Sequence, residues 1–228
     1  MIMRVTVHGD DERLRAPLDS VDAVVTTVDD KDADLVVAVG EEPLRESAAR
    51  GEKRPILSVG LDADWSCRAE SLPELLDRAA ESALPTVAAA PLVVSVDGTE
   101  STAAFDTTVI TSEPARISEY AVSVAGRPHA TFRADGVVVA SPLGSHGYSR
   151  AAGGPQLDFG SGLAVVPIAP FATIADSWVV EPPVSVSVER DDPVAVYADT
   201  EQIATGRAAL TVGIGTGEPL SLVDRRRL

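Results

Sequence analysis

Residues 135–155 read DGVVVASPLGSHGYSRAAGGP. Val137, Val138 and Val139 form a β-branched run suited to a buried strand. Pro142 has no N–H for a ladder and cannot sit in the centre of that strand. Gly144 and Gly147 then allow the main chain to pass close to a neighbour or a ligand, because no Cβ stands in the way. Ser145, Ser149 and the N–H groups opening the small-residue helix that follows are suited to sugar hydroxyls or phosphate. The expectation is a strand, a glycine turn and a helix that together form a nucleotide-binding elbow. Glycine and serine spacing alone fits an ordinary strand-to-helix turn equally well.

Around this segment the chain has 228 residues, enough for one large or two small cores, and the pattern changes near residue 90. Before it, short apolar runs at 4–8, 23–28, 35–39 and 56–59 alternate with polar or helical stretches, which predicts a small parallel α/β layer. A helix is expected from Ser71, with Glu74 completing a capping box and Pro73 in the first turn. Leu72, Leu75, Leu76, Ala79 and Ala83 give its buried stripe. Residues 85–91, with two prolines, read as the connector. Beyond it come strand after strand at 92–96, 107–111, 117–124, 129–134, 137–140, 163–167, 184–188, 194–198 and 210–214, a mostly antiparallel rhythm. The expected division is 1–88 for the α/β domain and 89–228 for the β-rich one.

Charge narrows the partners. There are 35 acidic and 19 basic residues, a net charge of −16, and Lys31 and Lys53 are the only lysines. Such a surface disfavours nucleic-acid phosphates and anionic membranes, and Arg225, Arg226 and Arg227 make the one basic cluster. Surplus carboxylates keep a protein dispersed when salt screens ordinary repulsion, so a salt-rich cytoplasm is the expected setting. Cys67 is the sole cysteine, which excludes an intramolecular disulfide and fits a reducing compartment. No apolar run approaches the ~18 residues that span a bilayer. His8, His129 and His146 are dispersed with no ligand spacing around them, so no metal site is expected. Ser145 and His146 are adjacent and lack a Gly-x-Ser-x-Gly elbow, which argues against a hydrolase triad.

Taken whole, residues 135–155 resemble the dinucleotide-binding motif of NAD kinases, which runs Asp-Gly, a short apolar strand, Thr-Pro-Thr-Gly-Ser-Thr-Ala-Tyr-Ser and later Ala-Gly-Gly-Pro. Asp135, Gly136, Pro142, Gly144, Ser145, Tyr148, Ser149, Ala152, Gly153, Gly154 and Pro155 agree with it. Ser141, Leu143, His146 and Gly147 stand where that family has Thr, Thr, Thr and Ala. The similarity continues at 165–170 (VVPIAP), in the Asp199-Thr200-Glu201 turn and at 104–109 (AFDTTV), where Asp106 replaces an amide and Thr107 a carboxylate. The resemblance implies an α/β domain paired with a β-rich one, nucleotides bound in the cleft between them, residues 220–223 returning to the first domain, and homo-oligomers. It also implies NAD and ATP with Mg²⁺ as ligands, with Asp106, Thr107, Asp135, Gly136, Ser141, Pro142, Gly144, Ser145, His146, Gly147 and Tyr148 around the dinucleotide.

The implied reaction moves a phosphoryl group from ATP to the 2′-hydroxyl of the NAD adenosine ribose, and it needs a carboxylate beside that hydroxyl. The family carries it in a Gly-Gly-Asp-Gly-Thr loop. The matching residues here are Gly40, Glu41, Glu42, Pro43 and Leu44. Glu42 occupies the catalytic Asp position, Pro43 replaces a glycine and removes an N–H, and Leu44 replaces a threonine hydroxyl. A solvated acidic turn opening a helix is the plain alternative for Glu41 and Glu42. Two functions are therefore carried forward: a divergent NAD kinase with Glu42 as base, and an inactive relative that binds NAD or NADP as a sensor or partner subunit.

Overall fold

The computed structural model describes residues 3–9, 14, 24–26, 30–113, 116–173, 176–190 and 192–227. The chain divides into two compact units: Met1–Ala89 with Pro219–Leu228, and Ala90–Glu218. No helix among the described residues is long and apolar enough to cross a membrane.

In the first unit the described strands form one sheet, ordered Val24–Thr26, Arg4–His8, Leu35–Val39, Ile56–Val59, Leu220–Val223 and Thr86–Ala89. The first five run parallel; Thr86–Ala89 pairs antiparallel to Leu220–Val223. Leu35–Val39 is LVVAV, buried at all five positions, because both faces of a parallel sheet are covered. Leu35, Val37 and Val39 pack with Leu72, Leu75 and Leu76 of the helix Leu72–Glu81. Leu72, Leu75 and Leu76 of the expected stripe are buried and Ala79 is half-buried, whereas Ala83 lies beyond the helix end and is exposed.

Its start differs from the expected capping box. A 3₁₀ turn, Ala69–Ser71, leads into the helix, so Ser71 has φ −86° and ψ −8° and makes no side-chain cap bond. An N-cap hydroxyl reaches the first-turn N–H groups from an extended backbone, which this turn does not provide. The described part of the expected strand at 23–28 is Val24–Thr26; the rest lies outside the described residues. Cys67 is buried at 2% exposure, and burial pushes its thiol up to about 11, as befits a small hydrophobe.

The second unit is two antiparallel sheets face to face. One runs Arg127–Ala134, Ser118–Val124, Val184–Val188, Thr211–Thr216, Leu92–Val96, Thr99–Ala103; the other runs Trp178–Val180, Leu163–Ile168, Gly136–Ala140, Asp106–Thr111, Val194–Ala198, Glu201–Gly206. Leu92, Val94 and Ile214 of the first meet Val109, Val137, Val139, Val165 and Val196 of the second in one core. An α/β layer and a β-rich unit are thus the fold that the sequence pattern predicted.

The expected strand list needed four additions. Thr86–Ala89 lies inside the stretch read as a connector, and its burial pattern shows one buried residue, Ala89. Thr99–Ala103, Glu201–Gly206 and Trp178–Val180 are edge strands that pair on one side only. The first two are polar (TESTA and EQIATG), a composition that suits an edge and hides the alternation by which a strand is recognised.

Glu52 sits between the helix Glu41–Arg50 and the strand Ile56–Val59. Its Oε1 accepts from Arg54 Nε at 2.9 Å, and from the Lys53 and Arg54 N–H groups at 2.9 and 3.0 Å. The Arg54 hydrogen bonds, working against burial, bring its carboxyl down to about 2 from 4.5. A depressed carboxyl stabilises the fold fully above its unfolded value and loses that contribution as pH falls toward about 2. Acid titration of stability should therefore fall more steeply between pH 4.5 and 2 in the wild type than in Glu52→Gln, the difference being on the order of 1–2 kcal/mol after solvent screening. Urea melts at both pH values measure it, and equal slopes would refute the assignment.

Candidate functional site

The strand Gly136–Ala140 is buried at every residue. Val137 and Val139 face the sandwich core. Val138 and Ala140 face the other way and pack with Leu157, Ala164 and Val166 beneath the returning segment 141–157. This two-sided burial explains why the run is continuously apolar rather than alternating.

At the end of the strand the chain turns through the 3₁₀ segment Gly144–His146 into a single helical turn, Tyr148–Ala151. The serines of the turn are internal braces. The Ser141 N–H donates to the Phe105 carbonyl at 2.9 Å, and its Oγ donates to the Ala104 carbonyl at 2.9 Å. Ser145 Oγ donates to the Pro142 carbonyl at 2.9 Å and accepts the Leu157 N–H at 3.0 Å. Both serines are fully buried, as is Ser149. The Ser141 and Ser145 hydroxyls fix the elbow's shape from within, whereas the buried Ser149 Oγ has no hydrogen-bond partner among the described residues.

Gly144 shows why the turn needs a glycine. A Cβ there would lie 2.1 Å from the Phe105 carbonyl oxygen and 2.4 Å from its carbon. Backbone meets backbone, so no rotamer change can relieve the clash. At Gly147 a Cβ would meet only the Gly144 carbonyl oxygen at 3.6 Å, an ordinary contact. Gly136 resembles Gly144: a Cβ would stand 2.6 Å from the Val109 carbonyl oxygen across the sheet.

The accessible rim of the elbow consists of Pro142 and His146, both half-buried, with exposed Gly147 and Tyr148. Tyr148 is 44% exposed. Gln156 Nε2 lies 3.1 Å from His146 Nδ1, which holds the imidazole in place and makes Nδ1 the acceptor. Asp106 pairs with Ala140 across the ladder and so lies on the elbow's face of the sheet. Thr107 lies on the opposite face; its Oγ1 donates to the Tyr197 carbonyl at 2.8 Å. Asp135 and Gly136 begin the strand that Ser141 follows, about 20 Å away at ~3.3 Å per residue. Asp135 is half-buried, and its carbonyl accepts from the Thr111 N–H at 2.8 Å and from the Tyr120 hydroxyl at 3.2 Å. Burial, with Asp135 and Asp192 adding to it, pushes the Tyr120 phenol far up and keeps it a donor.

A residue that the motif reading left in the background organises the corner beneath the elbow. Asp199, at φ 51° in the turn between Val194–Ala198 and Glu201–Gly206, accepts three main-chain N–H groups. These come from Ala104 at 2.8 Å, Phe105 at 2.8 Å and Asp106 at 3.0 Å. The turn was visible in the sequence, but not the 93 to 95 residues that separate Asp199 from its partners.

Glu42 belongs to the first unit. Gly40, at φ 81° where a side chain would be strained, ends the strand Leu35–Val39 and starts the helix Glu41–Arg50. Glu42 is in the first turn with 70% of its side chain exposed, and Arg45 Nη1 donates to its Oε2 at 2.9 Å; Arg45 also pairs with Glu41. Pro43 costs no helical hydrogen bond, since first-turn N–H groups have no partner within the helix. Leu44 is fully buried, so the position that carries a hydroxyl in the resembled motif here anchors the helix to the core. No group of three or more His, Cys, Asp or Glu placed to hold a metal occurs among the described residues.

Gly144→Ala should lower stability by about 2–4 kcal/mol, whereas Gly147→Ala should change it by less than about 1 kcal/mol. Thermal unfolding of the two variants beside wild type measures this, and comparable melting shifts would contradict the packing described.

Residues 106–215 match the family model of the ATP-NAD kinase C-terminal domain. An NAD kinase of Methanopyrus kandleri is 33% identical over 171 residues, covering 72% of this chain and 62% of that protein. One from Methanosarcina acetivorans is 29% identical over 189 residues, covering 77% of this chain and 66% of that protein. The matched stretch thus spans less than two thirds of each relative. Among solved structures, an Archaeoglobus fulgidus NAD kinase in complex with ATP superposes with a TM-score of 0.76 at 22% identity, covering 99% of this chain and 95% of that one. Yeast NADH kinase complexed with NADH gives 0.78 at 13% identity, covering 98% and 84%. These two establish the shared fold. With the Asp-Gly strand, the glycine elbow and the family-model match falling on one sandwich, the chain belongs to the NAD kinase family.

Proposed function

We propose that this chain is an NAD kinase, transferring the γ-phosphoryl group of ATP to the 2′-hydroxyl of the NAD adenosine ribose to give NADP and ADP. The elbow carries this reading: Gly144 is packed against the Phe105 backbone too closely for any side chain, and Tyr148 and His146 form its open rim. The names of the relatives, and the ATP and NADH bound in the solved neighbours, support the same chemistry.

In this reaction the ribose 2′-oxygen forms a bond to the γ-phosphorus as the bond to the β–γ bridging oxygen breaks, and the electron pair leaves on ADP. Glu42 receives the proton of the hydroxyl. Its ion pair with Arg45 is solvent-exposed, and such pairs contribute about 0–1 kcal/mol, so releasing Arg45 is a small obstacle. Mg²⁺ brought with ATP would neutralise phosphate charge, and the exposed Glu41 carboxylate would be available to hold it, leaving Glu42 to act as base. Asp106 on the elbow's face, with His146 and Tyr148, is assigned to the dinucleotide. Asp135 lies about one strand length from the elbow, so a second copy of the chain is the natural source of an Asp135 contact, in keeping with a homo-oligomer. A reducing, salt-rich cytoplasm is proposed from the single buried cysteine and the net charge of −16.

One observation favours the second reading, an inactive NAD(P)-binding relative. Pro43 supplies no N–H, and Leu44 is buried without a hydroxyl, so the turn at 40–44 offers polyphosphate fewer donors than the resembled loop. A displacement of the carboxylate by about 1 Å would cost on the order of 100-fold in rate.

Purified protein in multimolar KCl with NAD, ATP and Mg²⁺ should form NADP, and Glu42→Gln should reduce kcat by about 100-fold or more. Absence of turnover from folded wild-type protein that still binds NADP would select the binding-only reading.

A further inference from the structure

Asp199 belongs to no apolar run and lies on a hairpin tip, yet its carboxylate is the hub of a buried corner. Oδ1 accepts the Phe105 and Asp106 N–H groups, Oδ2 accepts the Ala104 N–H, and the Asp199 N–H returns to the Asp106 carbonyl at 2.8 Å. Ala104, Phe105 and Asp106 are at most 9% exposed, so water is a poor substitute for these bonds. Three successive N–H groups converging on one carboxylate fix the main chain at 104–106. The αL backbone of Asp199 is a conformation that Asp and Asn tolerate better than other side chains.

That corner is the surface on which the elbow rests. Ser141 bonds to the Ala104 and Phe105 carbonyls, and Gly144 lies against the Phe105 backbone with no room for one more carbon. A shift of the corner by a few tenths of an ångström must therefore move the elbow or open a gap under it.

We propose that Asp199 is a positioning residue of the dinucleotide site, acting through the backbone of 104–106 on both Asp106 and the glycine elbow. This rests on the NAD kinase reading for the identity of the ligand, but not for the geometry. The carboxylate does not touch the dinucleotide; it sets where the two elements that line the site stand relative to each other. Asn at this position keeps the αL preference and one carbonyl acceptor, while its NH₂ group opposes an N–H that the second oxygen now accepts.

The test uses the full chain in multimolar KCl with Asp199→Asn, Asp199→Glu and, as a control of core damage remote from the corner, Val212→Ala. Amide hydrogen exchange is read at Ala104, Phe105 and Asp106, and NADP affinity by titration calorimetry. Exchange at the three amides should rise at least tenfold in Asp199→Asn while the Leu163–Ile168 amides stay protected, and NADP affinity should fall at least tenfold. Asp199→Glu, which keeps the charge, should fall between Asp199→Asn and wild type. Val212→Ala should lower the melting temperature yet bind NADP within twofold of wild type. Unchanged exchange at 104–106 in Asp199→Asn would overturn the positioning role, and raised exchange with affinity within twofold would overturn its link to the ligand. If wild-type protein itself fails to bind NADP, the NAD kinase reading falls, and the exchange measurement still decides the geometry.

Discussion

The close approach of two main-chain segments, 104–105 and 141–144, is the constraint on which the β-rich unit's site depends. One is the entrance to the strand Asp106–Thr111 and the other is the exit from its neighbour Gly136–Ala140. Strands adjacent in a sheet ordinarily part company at their ends. Here they stay together, since Ser141 donates to two carbonyls of the first segment and Gly144 has no side chain to hold it off. The Ser141 and Ser145 hydroxyls are consumed in making the turn rigid. What remains for a ligand is a rim of a few side chains whose positions the buried serines determine.

Rigidity of this kind needs a foundation that does not move, and the strand beneath supplies it. Gly136–Ala140 is paired on both sides and covered on both faces, by the sandwich core and by the returning segment. Pulling the elbow away would expose Val138, Ala140, Ala164 and Val166 to water as well as breaking its hydrogen bonds. At about 25 cal/mol per Å² of apolar surface, that hydrophobic term acts with the polar bracing rather than against it. The first unit shows another arrangement: Glu42 stands on an exposed first turn, held by a surface ion pair that is easily exchanged.

How far this was legible in the sequence depended on the range of the interaction. The valine run and the proline of 135–155 act within a few residues of one another, so the strand and its end could be read directly, while the Phe105 backbone that requires Gly144 lies far off in the sequence. The leucine stripe of Leu72–Glu81 was legible for the same reason. Ser71 shows the limit, since the capping pattern was present but a preceding 3₁₀ turn set its backbone differently. Thr99–Ala103 and Glu201–Gly206 were illegible because their strand character comes from a partner rather than from their own polar composition. At the site, residue types singled out the elbow and assigned its serine hydroxyls to a ligand; those of Ser141 and Ser145 instead turn inward to carbonyls and an N–H group. The Asp199 contacts could not be anticipated, because a carboxylate in a turn gives no indication of amides some ninety residues earlier.

Gly144 also bears on how such a chain can change through descent. Every missense single-nucleotide change to a glycine codon introduces a residue with at least a Cβ, and the Phe105 carbonyl occupies the place where that atom would go. This codon therefore has no neutral missense neighbours unless the corner opposite moves in the same step. Its neighbours are freer: Gly147 has room for a methyl group, and His146 is half-buried at the rim. Drift in this loop should accumulate around a fixed point, so the loop can lose resemblance residue by residue while its backbone path is inherited unchanged.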